Sequence, residues 1–385
     1  MQKKLPYGCQ YLDEDDYQAV LSVLQGNWLT QGQTVGQFEQ SLLTYCGTAY
    51  ATVCSSGTAA LHILMLALGV RPGDEVITTP VTFASTANCV RFCQGIPVFA
   101  DIDSETANLA PDEIEKKITP KTVGIIPVHF AGNPCDMESI HRIACKHGLW
   151  VIEDACHALG ADYHGQKIGS CQFSQATVFS FHPVKHITTG EGGAVLTNDK
   201  KLAKRTKMFR THGIRQTYSY EEREREPWKY EMVELGYNYR ITDIQCALGV
   251  SQLGKLNRFL KRRREITGEY RETFSQIEGI SCLRTTENAA SAYHLFVLSI
   301  DYQQFGVSRT QVMKRLLKQH NIGTQVHYIP VYQHPYYRKL LGEIRLPNTE
   351  SYYEKCLSIP LFPGMEPEDP ARFYEALMST LGVRV

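Results

Sequence analysis

The sequence has no excess of either charge. Its 385 residues carry 40 Lys and Arg against 40 Asp and Glu, with no long single-sign run, so the overall charge gives no reason to expect nucleic acid or an anionic membrane as partner. It also lacks a long apolar run. The longest, 59–70, is broken by His62 and is too short to span a bilayer, and the opening residues Met1 to Pro6 show no apolar signal-type segment, which leads to an expected cytoplasmic location. The 12 cysteines include no CxxC pair and no Cys/His cluster of zinc spacing. Cys89 and Cys93 stand four apart, but two residues do not make a metal site, and the set reads as reduced, mostly buried small hydrophobes with no metal. No GxGxxG follows the early strands, which argues against a nicotinamide dehydrogenase. There is no internal repeat and no low-complexity tract.

What is present is an ordinary globular pattern, 43% hydrophobic and long enough for two or three domains. A helical segment at 12–25 leads to a polar loop, Asn27, Trp28, Leu29 and Thr30. Strand-like runs at 51–54, 75–79, 97–100, 123–128, 149–154, 176–179 and 194–197 are separated by helical patterns at 59–68, 85–94 and 111–118. Alternating β and α units predict a mostly parallel sheet with helices on both faces. A basic amphipathic helix follows at 200–210, then a charged stretch at 218–229 that reads as a solvated loop. A long helix from 244 to about 274 has Leu253, Leu256 and Leu260 inward and Arg262, Arg263 and Arg264 mostly outward. Beyond it, strands at 280–283, 295–300 and 324–328 and helices at 308–320 and 370–381 suit a small α+β domain. The expected division is 1–255 and 256–385.

The stretch that organises the rest is 180–193, with Lys185 in a turn between two strands. Phe181, Val184 and Ile187 around it imply partial burial, which lowers the pKa of an ammonium and raises its share of nucleophilic amine, the form that makes Schiff bases. The second site is Asp154, at the end of the run 149–154. Ligands in open α/β sheets bind outside the carboxyl ends of strands, and a buried carboxylate there needs a cation or donor. A pyridinium nitrogen is one candidate. Capping a helix at 155–159 is the plainer alternative, and both can hold together. The small-residue turn Ser55-Ser56-Gly57-Thr58 opens a helix at Ala59, where free N–H groups and the helix dipole suit an anion.

Glu153-Asp154-Ala155-Cys156-His157-Ala158, Ser180-Phe181-His182, Lys185 and Gly190-Glu191-Gly192-Gly193 together resemble the DegT/DnrJ/EryC1/StrS sugar aminotransferases. The likeness runs from about Tyr7 into the C-terminal domain. It implies an α/β protein of the PLP-dependent fold type I (aspartate aminotransferase-like), with a large mixed, mostly parallel sheet domain and a small α+β C-terminal domain. It also implies the cofactor pyridoxal 5'-phosphate (PLP), joined to Lys185 and met at its ring nitrogen by Asp154. Ser56, Gly57, Thr58 and Ala59 would hold the phosphate with Ser180, Phe83 would stack on the ring, and His157 would lie near the ring's phenolic oxygen or face. Asn238 would reach the cofactor phosphate of a neighbouring subunit, making a homodimer with shared active sites. On the substrate side the resemblance points to Tyr7, Asn27, Trp28, Leu29, Thr30, Asn238, Gln325, Val326, His327 and Tyr328.

The implied reaction is ping-pong transamination from glutamate to a keto sugar linked to UDP. Tyr7, 27–30 and 325–328 look most like the members that aminate C4 of a UDP-linked 4-keto-6-deoxy-N-acetyl hexose in pseudaminic acid biosynthesis. Members of the bacillosamine, perosamine or aminoarabinose type remain alternatives. So does a sugar dehydratase, although relatives with that activity carry histidine where this chain has Lys185. A protein that binds PLP or a nucleotide sugar without turnover is the reading from another class.

Overall fold

The computed structural model describes residues 3–215, 226 and 228–383; of the 218–229 stretch expected as a solvated loop, 218–225 and 227 therefore lie outside the described residues. Seven strands form the large sheet in the order Tyr50–Cys54, Gly193–Thr197, Ala176–Ser180, Trp150–Asp154, Thr122–Ile126, Glu75–Thr78, Ile96–Phe99. All neighbours pair in parallel except Gly193–Thr197, which runs antiparallel to the strand on either side. The sheet is mixed and mostly parallel, as expected.

Its strands are near-continuous apolar runs because helices cover both faces. Successive side chains point to opposite faces, so Ile77, Ile125, Val151 and Phe179 join a core with Phe38, Leu42 and Leu256. Their neighbours Val76, Ile126, Ile152 and Val178 join the other core, with Leu61 and Leu64 of the helix Gly57–Leu68. One strand thus feeds two hydrophobic layers, and Glu153 and Asp154 are delivered to opposite sides.

The helix Asp243–Phe274 runs through 32 residues, capped by Thr242, whose hydroxyl accepts from the Gln245 N–H at 3.2 Å while Gln245 answers the Thr242 N–H. Its first half packs on the sheet core and its last turns join a second core, where Tyr270 and Phe274 meet Leu298, Ile300, Leu316, Phe373 and Leu377. That core covers a three-stranded antiparallel sheet, Ile280–Cys282, Phe296–Ile300 and Cys356–Ile359.

Three expectations are corrected. The stretch 324–328 is not a strand. Gln325 alone bridges Ser358, with N–H to carbonyl bonds of 3.0 and 2.8 Å, and the chain then turns inward. No helix forms at 155–159 either: the Ala155 N–H bonds to the Val178 carbonyl, continuing the sheet, and turns follow. Finally, Arg263 is not on a solvated face but only 1% exposed. It stands seven residues after Leu256 and three after Leu260, on the inward stripe of the helix, where helical period overrides charge. Its guanidinium donates to the carbonyls of Tyr293, His294 and Leu361 at 3.0 to 3.2 Å.

Candidate active site

The sheet's carboxyl edge collects the site. The strand Ala176–Ser180 ends at Ser180, paired with Gly193, and the chain between them is pinned by Phe181 N–H to the Gly192 carbonyl at 2.8 Å and by Thr189 N–H and the Thr188 hydroxyl to the Phe181 carbonyl at 3.0 Å. Lys185 sits in that loop, half-buried, its N–H bonded to the His182 carbonyl at 2.8 Å. Burial lowers its pKa, while Cys156 and the Asp154 carboxylate pull the other way. The lysine therefore stands between two influences, desolvation favouring the neutral amine and a nearby acid favouring the ammonium.

Asp154 is 3% exposed. One carboxylate oxygen accepts from the Thr86 hydroxyl at 2.7 Å and the other from the Cys156 N–H at 3.2 Å. Both donors are neutral, and among the described residues no side-chain cation is bonded to this carboxylate. A buried acid of that kind fits a cationic ring nitrogen.

The turn before Gly57–Leu68 fits a phosphate. Ser56 is the N-cap, its hydroxyl accepting from Ala59 N–H at 3.1 Å, and the first backbone turn of the helix closes from Ala60 N–H to the Ser56 carbonyl at 3.0 Å. The N–H groups of Gly57 and Thr58 precede any intrahelical acceptor. The chain passes closely beside them: a Cβ on Gly193 would meet the Ser56 carbonyl carbon and oxygen at 2.4 Å, and one on Gly57 would meet Ser180 Cβ at 3.0 Å, so glycine is what lets the turn and the strand end approach. The residues present fit PLP at both ends, a phosphate cradle and an acid for the ring.

Over this lies an aromatic and imidazole cup. His157 shares a 3.2 Å hydrogen bond with the Tyr328 hydroxyl through Nε2, and its Nδ1 is buried without a partner. Tyr7 lies 5.4 Å from His327 and Phe83 lies 6.4 Å from Tyr328, centroid to centroid. Phe83 is 62% exposed, an apolar ring left open beside the cup. His327 bonds the Ser358 hydroxyl at 2.8 Å, and burial, with Lys185 nearby, holds its pKa down at about 3. His157 is likewise held well below 6.5, by burial first and Lys185 second. His157 and His327 are therefore neutral, and the Tyr328 phenol, pushed up by burial, keeps its proton.

The structure thus brings together Ser56, Gly57, Thr58, Ala59, Ser180, Lys185, Asp154, His157, Phe83, Tyr7, Val326, His327 and Tyr328. Gln325 stays exposed at the rim, its backbone paired with Ser358. Asn27, Trp28, Leu29 and Thr30 are all exposed and rest on the start of the long helix: Asp243 N–H donates to the Leu29 carbonyl at 3.0 Å and Thr30 bridges Thr242. Asn238 is exposed too, bridged to Thr211, and its neighbour Tyr239 accepts from the Ser55 N–H at 2.9 Å. Among the described residues neither stretch shares a hydrogen bond or ring contact with Lys185, Asp154 or the cup. Thr86, Gly193 and Cys156 were missed as neighbours of the site. Gly193 and Cys156 carried a signal, both standing inside the motifs that resemble the family, and Gly193 also as the last glycine of a run that passes close to another backbone. A cleft of about 400 Å³ lined by Tyr332, Arg338, Arg345 and Glu350 contains none of these residues.

Comparison with known proteins decides the class. The model of the DegT/DnrJ/EryC1/StrS aminotransferase family matches residues 10–378. The chain belongs to this family. It is a sugar aminotransferase, PLP-dependent and of fold type I. The chain is 41% identical over 375 residues to the spore coat polysaccharide biosynthesis protein SpsC of Bacillus subtilis (strain 168), covering 97% of this chain and 96% of that one. It superposes with a TM-score of 0.92 on Helicobacter pylori PseC, an aminotransferase involved in the biosynthesis of pseudoaminic acid, at 33% identity over 99% of this chain and 100% of PseC. Bacillus subtilis NtdA, solved with the bound cofactor PMP, gives a TM-score of 0.85 at 30% identity over 96% of this chain and 82% of NtdA. Among the described residues no helix is long and apolar enough to cross a membrane.

Proposed function

We propose that this aminotransferase moves the amino group of glutamate to the C4 keto group of a UDP-linked 4-keto-6-deoxy-N-acetyl hexose, on the route to pseudaminic acid. The observation that carries the sugar is the likeness to PseC over the whole chain, supported by the cup of Tyr7, His327 and Tyr328 facing His157. When bound, PLP supplies an electron sink for the carbon losing its proton. Lys185 holds the cofactor and, once released, carries the proton as general base and acid, a task suited to an amine whose pKa burial has lowered. Asp154 holds the ring nitrogen in its protonated form. The first-turn N–H groups of Gly57–Leu68 and the Ser180 hydroxyl take the phosphate, Phe83 covers the ring, and His157 and Tyr328 orient the sugar side. Val326, His327 and the exposed Gln325 frame that side.

The exposed Asn27 to Thr30 loop and Asn238 act in a second copy: the working unit is a homodimer in which Asn238 reaches the partner's phosphate. The chain divides at about residue 255 within the long helix, and the enzyme works in the cytoplasm. The test of the shared site is complementation. An inactive Lys185→Ala chain mixed with an inactive Asn238→Ala chain regains activity through heterodimers, and no recovery would refute it.

A second reading follows from the 41% identity to SpsC: the acceptor is a keto sugar destined for a different surface polysaccharide. Incubation with glutamate and a panel of UDP-linked 4-keto and 3-keto sugars, with dTDP-linked ones beside them, separates the two. Mass spectrometry showing an amino sugar only from the UDP-4-keto N-acetyl substrate supports the first reading, and product only from other keto sugars refutes it.

A further inference from the structure

We propose that Glu153 is a positioning residue that acts through Asp154 to keep the proton which Asp154 shares with the cofactor's ring nitrogen. The inference rests on the reading of Asp154 given above and extends it to the opposite face of the same strand.

Strand alternation sends Glu153 away from the cofactor side, yet it does not reach solvent; it is 3% exposed. Its carboxylate accepts from His129 Nε2 at 2.8 Å, from the Thr177 hydroxyl at 3.1 Å and from the Ser174 hydroxyl. His129 Nδ1 accepts from the Cys135 N–H at 3.0 Å, so Nε2 carries the hydrogen that Glu153 receives. Burial pushes the Glu153 carboxyl up, and these bonds more than offset that and hold it below the ordinary carboxylate value. The result is a buried carboxylate satisfied by hydroxyls and an imidazole N–H, one residue from Asp154.

The same segment that carries His129 also brackets Asp154. The Asp154 N–H bonds to the Pro127 carbonyl at 2.9 Å, the His129 N–H bonds to the Asp154 carbonyl at 3.1 Å, and Val128 bridges Asp154. Glu153 therefore grips, from one face, the loop that aligns Asp154 on the other. It also adds a second negative charge where water cannot screen it, which favours keeping a proton on the Asp154 and ring nitrogen pair. The other titratable groups facing these two acids are Lys185, Cys156, Cys89 and Tyr328 near Asp154 and His129, Cys135 and Cys171 near Glu153. Burial pushes all four thiols up, so they stay uncharged across the working range.

The test is 15N NMR of the holoenzyme reconstituted with ring-15N-labelled pyridoxal phosphate, titrated with pH. Glu153→Gln is expected to lower the midpoint at which the ring nitrogen loses its proton by roughly half a unit to one unit. Ser174→Ala weakens the same network but keeps the charge, and leaves the midpoint in place. If Glu153→Gln alone does not fold, Glu153→Gln with His129→Gln, which pairs two amides, carries the same test. A midpoint unmoved by loss of the Glu153 charge while Asp154→Asn moves it, or an equal shift in Ser174→Ala, overturns the inference. A midpoint unmoved even by Asp154→Asn removes the reading of Asp154 itself and this inference with it.

Discussion

Two stretches expected on the substrate side lie in opposite surroundings. Residues 325–328 turn in against His157 and Tyr7, with Tyr328 hydrogen-bonded and His327 buried, whereas residues 27–30 stand out on the head of the long helix, Trp28 66% exposed. The first stretch is finished by its own chain. The second leaves Trp28 and Leu29 exposed beside polar backbone, the stretch for which the proposed homodimer supplies a cover. The difference teaches that two stretches assigned to one side of the site by resemblance can fold into opposite surroundings, one inside the site and one on the surface.

The predictions sharpen that contrast. The largest effect is expected from Lys185→Ala, which lowers transamination by about 10³-fold or more at any protein concentration and abolishes the visible absorbance of the bound cofactor; retained absorbance in the purified variant would contradict the lysine's role.

Next comes Arg263→Met. It leaves the carbonyls of Tyr293, His294 and Leu361 without their donor beneath His157, whose ring lies 4.3 Å from His294. The expected cost is about 3 kcal/mol in urea unfolding, and a loss below about 1 kcal/mol would show that the inner half of the site does not lean on this side chain.

Third is acid sensitivity. His327 and His62 are held at about 3 and about 4 by burial, below the ordinary 6.5 that they regain on unfolding. The unfolded chain therefore takes up protons first as pH falls. Stability is complete above about 6.5 and declines below it by roughly 1.4 kcal/mol per unit of pH for each such histidine, until the folded value is reached. A melting temperature that stays flat from pH 7 to pH 5 would count against this.

The smallest effects separate the two stretches directly. Tyr328→Phe removes the bond to His157 and is expected to lower kcat about 10-fold whatever the enzyme concentration. Trp28→Ala is expected to change little in concentrated enzyme and to lose activity on dilution, read together with sedimentation. If Tyr328→Phe were the dilution-sensitive variant instead, the contrast would be reversed.

Most of the architecture was legible in the residues. The strand runs, the long helix and the lysine loop came out within a few residues of their observed limits, because each is written in adjacent side chains with periods of 2 or 3.6. Three of the misses share a cause. Residues 324–328 carry a β-like composition but are held by His157, Ser358 and Tyr352, far away in the chain. The alternative of a helix capped by Asp154 fails because Ala155 is taken up by Val178 across the sheet. Thr86, the hydroxyl on Asp154, stands 68 residues away with no motif around it.

By itself the sequence determined the α/β layering, the phosphate turn, the lysine between two strands and the acid at a strand end, since these follow from local periodicity and from small residues at one turn. Only the tertiary structure decided that Tyr7, His327 and Tyr328 close over His157, and which distant groups Arg263, Glu153 and Asp154 bond. Those outcomes depend on contacts between segments tens to hundreds of residues apart, and such contacts are chosen by the packing of the whole chain rather than by any stretch of it.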